Sequence, residues 1–358
     1  MDTTKEKLNI EHHACPNCGA EAVFDPKTQM LVCPYCNTQT EVAENQTTTY
    51  ERNIDILFSE SKVWTDAETI QCENCGAKET ISKGQIATHC PFCGTTNIVK
   101  TTDIVGMTPH GVCPFVYNVD DAAKFAKAWA RKKAFAPNKF KKSAEPKSIS
   151  GLYSPAFTFD CSTNTHYKGV LGKTHTRMVR GSDGKMHSEH YTVYFDISGN
   201  HSAIHDDVLI HATGNIPNVM LEGLGKYPTE SAATYSEKYL AGYPASSYSK
   251  DGNQAWSEGK LKIDNTIKQQ ILKNYTYDKV SSFKADTKYN NRSFKYLLLP
   301  VFVGHHKYKQ KLYNFYVNGS TGKVSGKAPV SWIKVLLAIL GGAALIGAII
   351  ALALLGNK

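Results

Sequence analysis

The chain has 358 residues, enough for two or three domains with cores of their own. Its formal charge of +9 is unevenly spread: residues 1 to 100 hold 8 Lys or Arg against 14 Asp or Glu, a net of −6, and the rest hold 33 against 18, a net of +15. DNA affinity is dominated by Lys and Arg neutralising phosphates, so the acidic first hundred residues weigh against nucleic acid as the ligand of that part.

Eight of the ten cysteines lie in four CxxC pairs. Cys15 and Cys18 are followed, after 14 intervening residues, by Cys33 and Cys36; Cys72 and Cys75 are followed, after another 14, by Cys90 and Cys93. Each cysteine of the second set falls 57 residues after its counterpart, and Gly19-Ala20 matches Gly76-Ala77 as Pro34-Tyr35 matches Pro91-Phe92. This is an internal repeat. Two thiolates separated by two residues reach one ion from a tight turn, and a short hairpin delivers the second turn to complete a tetrahedral shell. The spacing therefore predicts two zinc ribbons, with structural Zn²⁺ on Cys15, Cys18, Cys33 and Cys36 and on Cys72, Cys75, Cys90 and Cys93. A shell closed by four thiolates has no position for water, so no metal catalysis is expected. His12, His13 and His89 lie near these turns and are read as neighbours rather than ligands.

Between the ribbons, Asn45 to Thr49 is linker-like, and Ile54, Ile56, Leu57, Phe58, Val63 and Trp64 form an apolar patch expected to pack one ribbon on the other. Beyond the second ribbon, Asp120 and Asp121 are placed to cap a helix over residues 122–135, with Phe125, Ala126, Trp129 and Ala130 on one face. Nine basic residues from Lys124 to Lys147 are opposed within that span by Glu145 alone. Anionic lipid or nucleic acid are the functional partners of such a segment, and a solvated helix face is the plain one.

Residues 149–216 read as strands, with a hairpin turn at Gly181-Ser-Asp-Gly184. Seven histidines from His166 to His211 show no metal-binding spacing, and Cys113 and Cys161 have no CxxC partner and are expected to be buried thiols. A helical portion begins at Tyr227, and Trp256, Ile263, Ile267 and Ile271 mark the apolar stripe of a helix over 254–274. Strands return over 295–304 and 311–317. Gly319-Ser-Thr-Gly-Lys323 superficially suits phosphate but has two residues where a P-loop has four, so it is a turn. With no other nucleotide, protease or esterase fingerprint, the chain is not read as an enzyme.

From Val335 to Leu355 there are 21 residues without a charge. As a helix they span roughly 31 Å, the thickness of a bilayer's hydrocarbon core. A single C-terminal transmembrane helix is predicted, in a tail-anchored topology, since the N-terminal residues lack the apolar core of a secretory signal. Lys323, Lys327 and Lys334 precede the span and Lys358 follows it, which places the large N-terminal domain in the cytoplasm at the cell membrane. Ala343, Gly347 and Ala351 put small residues on one face, suited to homo-oligomerisation through the span.

The expected fold class is a multidomain α+β protein: two small β zinc ribbons, a β-rich α+β body and one transmembrane helix. Its parts are ribbon 1 (1–44), a linker (45–69), ribbon 2 (70–105), the basic helix with the body (106–330), and the tail anchor (331–358). The duplicated ribbons, Phe135-Ala-Pro-Asn138, Tyr239-Leu-Ala-Gly242, Leu298-Leu-Pro-Val-Phe302 and Phe315-Tyr-Val-Asn-Gly-Ser-Thr-Gly-Lys-Val324 resemble a bacterial family of membrane-anchored proteins with TFIIB-type zinc ribbons. Its members carry labels such as primosomal protein N′-like or helicase-like. Cys72-Glu-Asn-Cys75 departs from it in lacking the proline after the first cysteine. A helicase motor needs a P-loop that this sequence lacks. The resemblance implies association with membrane-organising SPFH-type or phage-shock-type proteins, and hence an adaptor binding protein partners and membrane lipid. The alternative is a membrane-tethered, primosome-like but non-helicase factor that binds nucleic acid.

Overall fold

The computed structural model describes residues 13–42, 48–59, 67–74, 76–82, 90, 92, 95, 98–101, 107–142, 149–182, 184–246, 249–309 and 311–356. In chain order, the first ribbon supplies β1 (Val23–Asp25), β2 (Met30–Val32) and β3 (Gln39–Glu41). Then come β4 (Arg52–Asn53) and α1 (Ile54–Ser59), followed by β5 (Ala67–Cys72), β6 (Lys78–Ser82) and β7 (Ile98–Thr101) around the second cysteine set. The body opens with β8 (Gly111–Val112), α2 (Val119–Lys132) and α3 (Asn138–Lys142) and continues into two long strands, β9 (Ile149–Arg180) and β10 (Met186–His211). It ends with α4 (Asn218–Glu222), β11 (Ala233–Thr234), β12 (Ala245–Ser246), α5 (Gly252–Leu272), β13 (Lys279–Tyr308), β14 (Lys311–Asn318), β15 (Val324–Gly326) and α6 (Trp332–Gly356).

The molecule is a β-rich α+β protein with two sheets among the described residues. One holds β1, β2 and β3; the other joins twelve strands, and β5, β6 and β7, expected as part of a separate small domain, are continuous with the body's sheet through β12. The spine of the large sheet is the antiparallel trio β10-β9-β13. β9 pairs with β10 from Ala156↔His211 to Arg180↔Met186, and with β13 from Ile149↔Gly304 to Gly172↔Lys279.

Burial along β9 explains its length. Gly151 to Phe159 is buried on both faces, a continuous run as expected of a covered central strand; Cys161, Thr163 and Thr165 then alternate with more exposed neighbours; residues 173–178 are exposed. The strand thus leaves the core and continues as an arm, closed by the turn at residues 181–185 with Gly184 at φ 77°. Three register shifts interrupt these strands, and at two of them Asp207 (φ 47°) and Asn291 (φ 49°) take the left-handed region that short polar side chains tolerate.

α5 covers the root of the arm. Asp251 and Gln254 form a reciprocal capping box at its start. Ile263, Ile267 and Ile271 are buried with Phe157, Phe159, Ile210, Phe294 and Tyr296, and Trp256 meets Phe159 edge-on at 5.3 Å.

Three local expectations shift. α2 begins earlier than residue 122, because Asn118 rather than Asp120 or Asp121 caps it by accepting from the Asp121 amide at 3.0 Å. Ile54 and Leu57 do not join the ribbons; they are buried against the body in the α5 cluster, while Val63 and Trp64 lie outside the described residues. Among the described residues of 227–251 there are only short 3-10 turns and two-residue strands in place of the expected helical portion. Asn318 Oδ1 accepts from the Ser320 and Thr321 amides, at 2.9 and 3.0 Å, which makes the Gly319 to Lys323 stretch the expected turn.

Candidate metal centre

Cys15, Cys18, Cys33 and Cys36 bring their Sγ atoms within 4.8 Å of one another. The nearest pairs cross between the two turns: Cys15 to Cys36 at 3.4 Å and Cys18 to Cys33 at 3.5 Å. A disulfide needs about 2.05 Å, so these are four free thiols around a common point. The turns themselves hold them there. The Cys15 amide donates to the Ala20 carbonyl and the Cys33 amide to Thr38; Gly19 and Asn37 close each turn at φ 74° and 58°.

The backbone at Cys72 and Cys90 repeats this pattern. The Cys72 amide donates to Ala77 and the Cys90 amide to Thr95, at 2.9 and 2.8 Å, and Gly76 repeats the φ of 74° at Gly19. Cys72 and Cys90 are buried together beside Ala77 and Phe92. Cys75, Cys93, His12 and His89 lie outside the described residues. His13 does not belong to the four-thiol cluster.

The thiols of the first site are not equivalent. Cys36 is pulled down to about 5 by hydrogen bonds from the Thr38 hydroxyl, at 3.1 Å, and the Thr38 amide. Cys18 is lowered by a bond to the Ala20 amide, but its bonds to Cys36 and Cys33 carry it up to about 12. This donor set can hold a metal ion, and soft thiolates favour zinc-like or cuprous ions over hard cations.

The ribbon is fixed to the body. The Phe24 amide donates to the Ala241 carbonyl at 3.0 Å, and the Phe24 ring meets Tyr239 at 5.3 Å. Where it meets the start of α2 there is a groove of about 330 Å³, walled by Val23, Pro26, Val32, Pro34, Val119 and Tyr243.

A second convergence, absent from the sequence reading, centres on Lys295, which is 2% exposed. Its Nζ lies 3.0 Å from both Glu51 Oε1 and Asp207 Oδ1. Asp160 and Asp206 share the site, and burial raises the Asp160 carboxyl to about 6. Lys295 already supplies the cation, so the cluster reads as a clamp of β13 to β4 and β10. Its one sequence signal is a lysine inside the run Phe294-Lys-Tyr-Leu-Leu-Leu299. Cys113 and Cys161 are buried thiols raised to about 12 and 11, chiefly by burial. Of the seven clustered histidines, His205 and His211 are buried, and no metal-holding group includes any of them among the described residues.

α6 is the one helix among the described residues long and apolar enough to cross a membrane, and none of its apolar window is buried in the protein. The whole is therefore a β-rich α+β protein carrying a four-cysteine site able to hold a metal and a C-terminal apolar helix able to span a bilayer. The chain is 30% identical over 329 residues to Uncharacterized protein YdjG of Bacillus subtilis (strain 168), covering 91% of this chain and 92% of that protein. It belongs to the same family as that protein. No family profile and no solved structure matches it.

Proposed function

We propose that this protein is a membrane-anchored zinc-ribbon scaffold whose large domain faces the cytoplasm and whose ribbons hold protein partners at the membrane surface. A zinc tetrahedron with bonds of about 2.3 Å spaces its sulfurs about 3.8 Å apart, which the 3.4 and 3.5 Å pairs and the 4.8 Å limit of the first site bracket. The same amide bond recurs at all four turns, so Cys72, Cys75, Cys90 and Cys93 take a second zinc. Both shells are filled by thiolates, and the role of the metal is structural.

The observation that carries the reading is a four-cysteine cluster seated on a body that ends in an unburied apolar helix. Such a molecule presents a surface to a partner. Four thiolates against one Zn²⁺ add two negative charges per ribbon to an already acidic segment, which favours protein over phosphate. The apolar groove beside the first ribbon suits a peptide segment of the partner. The implied partners are membrane-organising proteins of the SPFH or phage-shock kind.

Capture of the intact protein from detergent-solubilised, nuclease-treated membranes, beside a Cys15→Ser, Cys18→Ser, Cys72→Ser, Cys75→Ser variant, tests this. A protein retained by the first and lost from the second is the expected result. Recovery of replication proteins alone, removed by nuclease, overturns it in favour of nucleic-acid binding.

A further inference from the structure

Two of the stretches without an acidic residue are strongly basic. Ala122 to Ala144 holds 8 Lys or Arg, and Thr287 to Lys358 holds 10. The fold brings parts of both together at one place, where α6 leaves the body. Phe140 of α3 packs edge-on against His306, Tyr308 and Tyr313 of the β13–β14 hairpin, at 5.5, 5.9 and 6.0 Å. Ala136 and Phe140 share a buried cluster with Ala328, four residues before α6 begins. The Ser331 amide donates to the Phe135 carbonyl at 2.8 Å. Lys334, in the first turn of α6, donates through Nζ to the Ala136 carbonyl at 2.7 Å and to Asn138 Oδ1 at 2.8 Å.

These contacts tie α3, the end of α2 and the hairpin tip to the first turn of the apolar helix. Lys132, Lys142, Lys309, Lys311 and Lys327 are exposed on this corner. Among them stand exposed apolar side chains, Phe135, Leu312, Val330 and Trp332, the last 83% exposed. Basic residues interleaved with aromatic and aliphatic ones are what the headgroup layer accepts: cations meet lipid phosphates, and apolar side chains enter beside them.

We propose that this corner is a docking surface for the anionic headgroup layer of the membrane that α6 crosses, so that the body lies against the bilayer rather than hanging from a flexible tether. The inference rests on the anchored reading above. It also orients the arm: β13 runs away from this corner for 30 residues, up to about 100 Å at the rise of a strand.

The test is hydrogen–deuterium exchange on the full chain in nanodiscs of phosphatidylcholine alone or mixed with phosphatidylglycerol. Amides of residues 131–142 and 308–313 are expected to exchange roughly threefold or more slowly in the anionic discs, and high salt should abolish the difference. The variant Lys132→Glu, Lys142→Glu, Lys309→Glu, Lys311→Glu should lose that protection. The control Lys168→Glu, Lys173→Glu, Lys279→Glu, Lys284→Glu, on exposed positions of the arm, should keep it. Equal exchange in both discs, or protection that survives the first variant, overturns the proposal. So does protection that arises only on adding a DNA oligonucleotide to zwitterionic discs, which would assign the corner to nucleic acid. An α6 unprotected in either disc overturns the anchored reading and this inference with it. Loss of zinc from the ribbons should leave the lipid-dependent protection unchanged, which separates failure of the ribbons from failure of the docking surface.

Discussion

Thr38 is the residue that most clearly shapes the first metal site beyond its four cysteines. Its hydroxyl and amide both reach Cys36 and favour the thiolate. Removing a partner of this kind typically costs 10–100-fold in metal affinity, so Thr38→Val should weaken zinc retention by about that factor in competition with a chelator; unchanged retention would mean that the hydroxyl plays no part. Lys295 is the corresponding point in the body. Lys295→Met would leave Glu51 and Asp207 facing each other without their cation, and breaking a buried pair from one side costs about 3–5 kcal/mol. Denaturant unfolding of the variant should show that loss, and a change under about 1 kcal/mol would mean that the clamp is not strained by losing its charge. At this scale the convergence of Cys15, Cys18, Cys33 and Cys36 was legible from their spacing alone. Lys295 was not, because Glu51 and Asp207 lie far from it in sequence and only the fold brings them together.

Among the elements, α5 holds the root of the arm. Ile267 is 1% exposed within a cluster of aromatic side chains, and Ile267→Ala should destabilise the body by about 2–5 kcal/mol through lost burial and the cavity left behind. A cost below that range, measured by urea unfolding, would place the stability of the arm elsewhere. The turns of the ribbons make a different prediction. Gly19 and Gly76 adopt the same left-handed conformation with open space where a Cβ would stand. Alanine at either should thus cost only the backbone term of about 1–2 kcal/mol. α2 and α5 were readable from apolar spacing, though the cap of α2 is Asn118 and not the expected aspartates, and the hairpin was readable from its Gly-Ser-Asp-Gly sequence. The N-terminal half of β13 was missed, although Phe283, Ala285, Thr287 and Tyr289 alternate with Lys284, Asp286 and Lys288 as a half-buried strand does, because the surrounding residues are largely polar and exposed. The segment before the second ribbon was misjudged because apolar residues between two small domains do not state which body they cover.

For the molecule as a whole, acid should be destabilising. His110, His211 and His306 are each held down to about 4, chiefly by burial. In the unfolded chain they take protons below about 6.5, while in the folded protein they resist until about 4. Stability is therefore full above about 6.5 and falls as pH drops through that window. Asp160 works the other way, because its raised value favours the folded state at low pH and loses that contribution as pH rises through about 6. It offsets one of three histidines, and thermal unfolding should still show a falling midpoint from pH 7 to pH 4. A flat profile would mean that the histidines are hydrated in solution. The β-rich α+β class and the C-terminal apolar helix were legible from the pattern along the chain. The seating of ribbon 1 on Tyr239 and Ala241, and of α3 on the start of α6, depends on contacts between distant segments that no local pattern records.

The most direct test of the account is the zinc content of the full chain recovered from carbonate-washed membranes. Two zinc ions per chain are predicted, falling to one when Cys72 and Cys75 are changed to Ser, with the chain staying in the membrane fraction in both cases. A chain released by carbonate, or one that carries no zinc, would contradict a metal-built scaffold anchored in the bilayer.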